Sequence, residues 1–215
     1  MDSEPISIQA KNAIGKQKSS FILNTPFLKE EDVKNLADIL GNRMIESFEI
    51  HFNSCDQGSF SQFKFLSQIK KTFTISGPID DKGIKNLLEG HDKVLFKKLS
   101  LTKSSITSNG LNVLQIFLLS NNSITGLDIS ENGLTDKDAE IICNITQTSP
   151  SLNELWLKKN KLTKTGVSQI LDGLKDNNTL EFLDLSYLAE DCKDIVDDFR
   201  NSSDMITIDC KFGWV

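Results

Sequence analysis

Apolar residues recur along this chain in two alternating rhythms. Leu127-Asp-Ile129-Ser-Glu-Asn132, Leu155-Trp-Leu157-Lys-Lys-Asn160 and Leu183-Asp-Leu185-Ser-Tyr187 place leucine or isoleucine at alternate positions, and the first two then turn fully polar. Their first leucines recur at one constant step, and the same step taken backwards from Leu127 lands on Leu99-Ser-Leu101. Period-two alternation of this kind predicts a short strand. The downstream half of each unit keeps the same register: Leu111, Ala139, Val167 and Ile195 recur at that step, as do Leu114, Ile142 and Ile170. Within a unit, Val167, Ile170, Leu171 and Leu174 follow the i, i+3, i+4, i+7 spacing of one helical stripe. Each unit therefore reads as strand, turn, helix and return loop.

The N-terminal half follows the same grammar with phenylalanine in place of the first leucine. Phe73-Thr-Ile75 leads to Ile84, Leu87 and Leu88. Phe48-Glu-Ile50 leads through Asn53 to Phe60, Phe63 and Leu66, expected to be helical, and Phe21-Ile-Leu23 leads to Val33, Leu36 and Leu40. The steps from Phe21 to Phe48, Phe73 and Leu99 are slightly shorter than those that follow, and Ile206-Thr-Ile208 reads as a last, capping strand. The pattern predicts seven repeats plus that cap, with one buried face shared from unit to unit.

Parallel strands stack about 4.8 Å apart, whereas packed helices need about 8–10 Å. Strands on one side and helices on the other must therefore bend, with the sheet on the inside.

L-x-x-L-x-L-x-x-N-x-L followed by a helix resembles the ribonuclease-inhibitor-like leucine-rich-repeat family, over roughly residues 21–208. The resemblance implies an α/β fold: a leucine-rich-repeat solenoid, or right-handed α/β horseshoe, with a concave parallel sheet and convex helices. Residues 1–20 would be an N-terminal segment, flexible or capping, and 209–215 a C-terminal tail. In this family the asparagine satisfies backbone groups in the turn after the strand. Here it occurs as Asn53, Asn132 and Asn160, while Pro26, Pro78, Ser104 and Leu188 stand at the other positions. Those repeats need another source of buried hydrogen bonds.

Composition narrows the function. The 215 residues are 38% apolar with a net charge of −6. That balance argues against binding nucleic acid, which depends on a positive field. Arg43 and Arg200 are the two arginines against many lysines, a bias of origin more than of chemistry. Cys55, Cys143, Cys192 and Cys210 form no C-x-x-C pair, so reduced cysteines and no metal site are expected. Sequons at Asn144, Asn177 and Asn201 read as incidental. The stretch from Met1 to Ser20 carries no apolar signal core and no run could span a bilayer. The expected setting is cytoplasmic, or secreted without an N-terminal signal, with no membrane partner and a monomeric state. No phosphate loop, nucleophile elbow or zinc-protease motif is present, so no enzyme and no cofactor are expected.

If the leucines point inward, the intervening residues form columns on the concave face. One column is Ile22, Glu49, Thr74, Ser100, Asp128, Trp156 and Asp184; the next is Asn24, His51, Ser76, Thr102, Ser130, Lys158 and Ser186. The flanks end in Lys98, Gly126, Glu154 and Phe182, and in Lys103, Glu131, Lys159 and Tyr187. Trp156 stands out, because an indole on that face has no core role and such residues concentrate at binding hot spots. Phe182 and Tyr187 lie beside it, and Glu154, Asp128 and Asp184 surround it. An aromatic ringed by carboxylates suits a partner's Lys or Arg. The structural alternative is packing of Trp156 against the C-terminal segment, at Phe212 or Trp214. The expected partner-binding set is Trp156, Glu154, Asp128, Lys158, Phe182, Asp184 and Tyr187.

Other clusters read as structural. Lys103, Glu131 and Lys159 alternate in sign as a cross-strand ladder would. Glu190, Asp191, Asp194, Asp197 and Asp198 match no calcium loop and suit a solvated helix face. His51 has no catalytic partner at a recognisable spacing.

These readings predict a non-enzymatic interaction module binding a protein through its concave face. The composition is also similar to that of leucine-rich-repeat effectors secreted by intracellular bacterial pathogens, and the hydrophobic end Cys210-Lys-Phe-Gly-Trp-Val215 would suit a C-terminal export signal. The alternative is a regulator of enzyme activity, either a GTPase-activating protein of the Ran-regulating type or an inhibitor of a basic nuclease. A ubiquitin ligase would need a catalytic domain for which the repeats leave no room.

Overall fold

The computed structural model describes residues 4–56, 58–91, 93–203 and 205–212. Its strands are β1 (Ser20–Leu28), β2 (Ile45–Cys55), β3 (Ile69–Ser76), β4 (Lys98–Thr102), β5 (Gly126–Asp128), β6 (Glu154–Trp156), β7 (Phe182–Asp184) and β8 (Thr207–Asp209). All pair in parallel, and their order in the single sheet is their order in the chain. The helices are α1 (Ile6–Gly15), α2 (Glu30–Leu40), α3 (Asp80–Leu88), α4 (Ser108–Ser120), α5 (Ala139–Thr148), α6 (Lys164–Leu174) and α7 (Lys193–Ser202). The result is an α/β fold in which each strand pairs with its sequence neighbours and each helix packs beside the next.

Apolar strand positions and helix stripes share one core. Leu99, Leu127, Leu155 and Leu183 are fully buried, and so are Leu111, Ala139 and Val167 on the helices. Helices cover one face of the sheet; the other carries the intervening residues and stays open. The last unit departs from the constant step. Val196 is buried there and Ile195 is partly buried, because Cys192, Val196 and Phe199 form the stripe.

α1 lies within the segment read as the N-terminal flank and buries Ile6 and Ala10. At the far end, residues 213–215, including Trp214, lie outside the described residues.

Two expectations for the N-terminal half are corrected. After β2 the chain forms two 3-10 turns, Ser59–Gln62 and Leu66–Gln68, instead of an α-helix. Phe60, Phe63 and Leu66 are spaced by three, the period of a 3-10 helix, which an α-helical stripe does not repeat. The turns insert Phe60, Phe63 and Phe65 among Phe48, Phe73 and Phe96, with ring centroids 5.0 to 6.3 Å apart. Each buried ring contributes about 1.5–3 kcal/mol of transfer free energy. Asn53, expected in a turn, is exposed within β2, which runs on to Cys55.

Asn132 and Asn160 do perform the turn role. Asn160 Oδ1 accepts the Asn132 and Leu134 N–H groups, while its Nδ2 donates to the carbonyls of Ile129 and Leu157. Asn132 Oδ1 accepts the Ser104 and Ile106 N–H groups, and its Nδ2 donates to the carbonyls of Leu101, Ile129 and Ser130. One amide thus serves two consecutive turns, and the Ser104 turn draws on Asn132 from the next unit.

These turns share a left-handed residue. Lys103, Glu131, Lys159 and Tyr187, which occupy the same position in successive units, have φ of 55°, 58°, 54° and 70°. Left-handed backbone costs a non-glycine residue about 1–2 kcal/mol. The N–H groups of Glu131, Lys159 and Tyr187 are each held by the carbonyl of Lys158, Ser186 or Lys211 on the neighbouring unit. The expected charge ladder of Lys103, Glu131 and Lys159 does not form, since these residues sit in turns; among the described residues no ion pair joins them.

A second staple joins units at the helix N-termini. Thr163 precedes α6 and donates through both Oγ1 (2.5 Å) and N (2.8 Å) to Asp136 of the previous unit. Thr107, before α4, binds Asp81 in the same way, at 2.5 and 2.9 Å. Each threonine has a glycine at its i+3 position, Gly110 or Gly166, where a Cβ would overlap that aspartate's Oδ1.

Candidate functional site

The open face follows the expected columns. Ile22 pairs with Glu49, Glu49 with Thr74, Thr74 with Ser100, Ser100 with Asp128, Asp128 with Trp156 and Trp156 with Asp184. Lys98, Gly126, Glu154 and Phe182 form the flanking row. Register therefore places Trp156 beside Phe182, Glu154, Asp128 and Asp184.

Trp156 is partly exposed and lies 5.5 Å, centroid to centroid, from the partly exposed Phe182 ring. Its other close neighbour comes from two strands away: Lys98 Nζ, on β4, sits 3.4 Å from the indole centroid. Gly126 on β5 makes this possible. A Cβ there would stand 3.2 Å from Trp156 Cζ3 and 3.5 Å from Lys98 Cγ. The glycine leaves a slot in the sheet surface through which lysine and indole meet. The cation expected from a partner is thus supplied, on one ring face, by the chain itself.

Burial pulls the Lys98 pKa below its ordinary value, although Asp128, Glu154 and Asp184 act to raise it and Lys158 to lower it. A half-buried ammonium over an aromatic face gains cation–π attraction that partly offsets its lost hydration.

The carboxylates separate into two kinds. Asp128 accepts the Ser130 N–H and the Ser100 hydroxyl, both at 3.1 Å. Asp184 is buried and accepts the Ser186 N–H at 2.9 Å. Both belong to an Asp-x-Ser turn at the end of a strand, so their first task is to hold backbone. Glu154 is exposed and Lys158 partly so, and both remain available at the rim. Tyr187 is partly exposed in its left-handed turn, with Lys159 Nζ 4.9 Å from its ring centroid. The site therefore pairs two aromatic–lysine contacts, Trp156 with Lys98 and Tyr187 with Lys159, and Phe182 abuts the first.

Sequence reasoning passed over Lys98 and Gly126. Their column carried the signal: a glycine between a lysine and a tryptophan-bearing strand marks a gap two long side chains can share. Phe212 forms a bridge with Leu188 and no ring contact with Trp156; Trp214 is outside the described residues.

Elsewhere, His51 Nε2 lies 2.6 Å from Glu49 Oε1 on the open face, a partner from its own strand. Two members of the acidic run near the C-terminus are tied to lysine and arginine: Asp194 to Lys164 at 2.7 Å, and Asp197 to Lys193 and Arg200. Among the described residues no cluster of three or more His, Cys, Asp or Glu could hold a metal ion, and no helix is long and apolar enough to cross a membrane. Cys55, Cys143, Cys192 and Cys210 are free thiols.

No family model matches the chain. It is similar to NACHT, LRR and PYD domains-containing protein 4E of Mus musculus, at 28% identity over 172 residues covering 76% of this chain and 18% of that protein. It is also similar to NACHT, LRR and PYD domains-containing protein 14 of Mus musculus, at 27% over 187 residues, 82% of this chain and 19% of that protein. A relative from Homo sapiens, NACHT, LRR and PYD domains-containing protein 5, is 27% identical over 176 residues, 78% of this chain and 15% of that protein. The chain spans about a fifth, or less, of the length of these curated relatives. Among solved structures, actin-binding site 2 of leiomodin-1 has a TM-score of 0.46 at 20% identity, covering 56% of this chain and 69% of that one.

Proposed function

We propose that this chain is a leucine-rich-repeat solenoid of the ribonuclease-inhibitor-like type, and that it works as a non-enzymatic module holding a partner protein on the open, concave face of its sheet. Recurrent units, of one constant length from Leu99 to Leu183, the asparagine-served turns and relatives named for LRR domains support the first half of this reading. The observation that carries the second half is the group of partly exposed aromatics on the open face. Trp156, Phe182 and Tyr187 sit there without core duty, and Lys98 and Lys159 lie against two of them.

Pre-positioned rings lose little conformational freedom on binding, which favours them as anchors. Glu154 and Lys158 at the rim give the surface charges of both signs, suited to steering and register more than to bulk affinity. Asp128 and Asp184 act behind them, as the backbone braces that keep the turns in shape.

The test is capture from a eukaryotic lysate with the wild type and Trp156→Ala/Tyr187→Ala, with circular dichroism as the folding control. Loss of a specific partner from the folded double variant supports the face. Capture of the same partner at equal yield by both proteins overturns it and moves binding to other surfaces.

A further inference from the structure

Among the described residues no strand pairs with the outer edge of β1, and one side chain already pairs with it as a strand would. Gln9 of α1 donates from Nε2 to the Asn24 carbonyl at 2.8 Å and accepts the Asn24 N–H on Oε1 at 3.0 Å. This reproduces, with one amide, the two-bond contact a neighbouring strand makes with a single residue. Alternation along β1 then fixes the directions of the other backbone groups. Ser19 sends its carbonyl inward to the Glu46 N–H at 2.7 Å, so Ser20 and Ile22 point theirs outward, as Asn24 does. Beside Ser20 and Ile22 lies a recess of about 720 Å³, walled by α1 and lined also by Asn12, Lys16 and Lys18. The Glu4 carboxylate at its rim is engaged by Asn12 Nδ2 at 3.3 Å. With Lys16 and Lys18 against that single carboxylate, the charges lining the recess are net positive.

We infer that this edge binds an extended acidic peptide segment of another protein as an added strand, with its backbone on Ser20 and Ile22 and its carboxylates on Lys16 and Lys18. Strand addition of this kind draws affinity from main-chain hydrogen bonds and specificity from alternate side chains. Ile22, 65% exposed on the open face, would give the added strand an apolar neighbour. Gln9 marks where the added strand must stop, since Asn24 is already paired. The inference is independent of the Trp156 face.

The test uses the full chain, ¹⁵N-labelled, titrated with a capped pentapeptide of alternating valine and glutamate, and separately with its lysine counterpart. The glutamate peptide is expected to shift and protect the Ser20 and Ile22 amides. Lys16→Glu/Lys18→Glu should weaken it by at least about tenfold. Ile22→Pro removes an outward N–H that β2 does not use, and should abolish binding while the β2 amides stay unshifted. The idea is overturned by equal binding of the lysine peptide, by shifts centred on Asp128 and Trp156, or by no shift at millimolar peptide. Should Ile22→Pro disturb the fold, the lysine reversal alone decides.

Discussion

Lys98 Nζ lies 3.4 Å from the centre of the Trp156 ring although β5 runs between the strands that carry them. The contact exists because β5 presents Gly126 at the crossing point. It joins two units of the sheet through side chains alone, across a third, and it decides which ring face a partner can use.

Deprotonation of Lys98 should be visible in Trp156 emission. Burial lowers the Lys98 pKa, so in a Trp214→Phe background the emission should titrate with a midpoint below the ordinary lysine value of 10.5. Between the folded and unfolded pKa values the unfolded chain holds more protons, so this group makes stability rise with pH through that window. Lys98→Met should remove the step, and Gly126→Val should remove it by closing the slot. A step that persists in Lys98→Met would assign it to another group.

Asn160→Ala should cost about 2–4 kcal/mol, because it strips acceptors from Asn132 N and Leu134 N and donors from two buried carbonyls. Asn53→Ala, at an exposed position of β2, should change stability by less than about 0.5 kcal/mol. Urea unfolding of the pair measures both. Similar losses at the two positions would contradict the division of roles.

Gly166→Ala should destabilise, against the usual gain of about 1 kcal/mol for removing a helical glycine. Its Cβ would meet the Asp136 carboxylate and stand 3.0 Å from Asp136 Cα, forcing that carboxylate off Thr163. A loss of about 1–2 kcal/mol by denaturant unfolding is expected.

The same staple should be sensitive to acid. Burial pushes the Asp136 carboxyl up, but hydrogen bonds from the Thr163 hydroxyl, its N–H and the Gly166 N–H together hold it below the ordinary value of 3.8. Its contribution is present above the unfolded pKa and is lost as pH falls through the lower folded one. Asp136→Asn should flatten the acid limb of the stability curve; an unchanged limb would assign it to other carboxylates.

Cys192 and Cys210 should resist alkylation at pH 8. Burial raises both thiols to about 11, leaving roughly one molecule in a thousand as thiolate. Labelling should be slow in buffer and fast in denaturant, as followed by mass spectrometry. Rapid labelling of the folded chain would place these thiols in a more open setting.

Much of this architecture is legible in the sequence. A constant repeat length was enough to align Asp128, Trp156 and Asp184 in one row, because parallel register follows directly from it. Side-chain reach was not legible. Register sets where a Cβ stands, whereas the Lys98–Trp156 contact depends on two long side chains leaning over a glycine. Asn53 misled because the asparagine pattern says nothing about whether the strand ends there. β2 continues past it, paired to β1 as far as Cys55. The phenylalanines at 60 and 63 held the right clue in their spacing of three, which belongs to a 3-10 turn.

Strand length falls along the chain from 11 residues in β2 to 3 in each of β5 to β8, and the interlocked phenyl rings lie at the long-stranded end. Where cohesion passes from neighbour to neighbour, such a gradient makes one end an anchor and the other the part that breathes. The Trp156 face belongs to the breathing end. A protein seated there clamps the strands that open first, so its arrival should register as heat resistance of the whole chain. A peptide laid along β1 meets strands that are already held shut and should add far less.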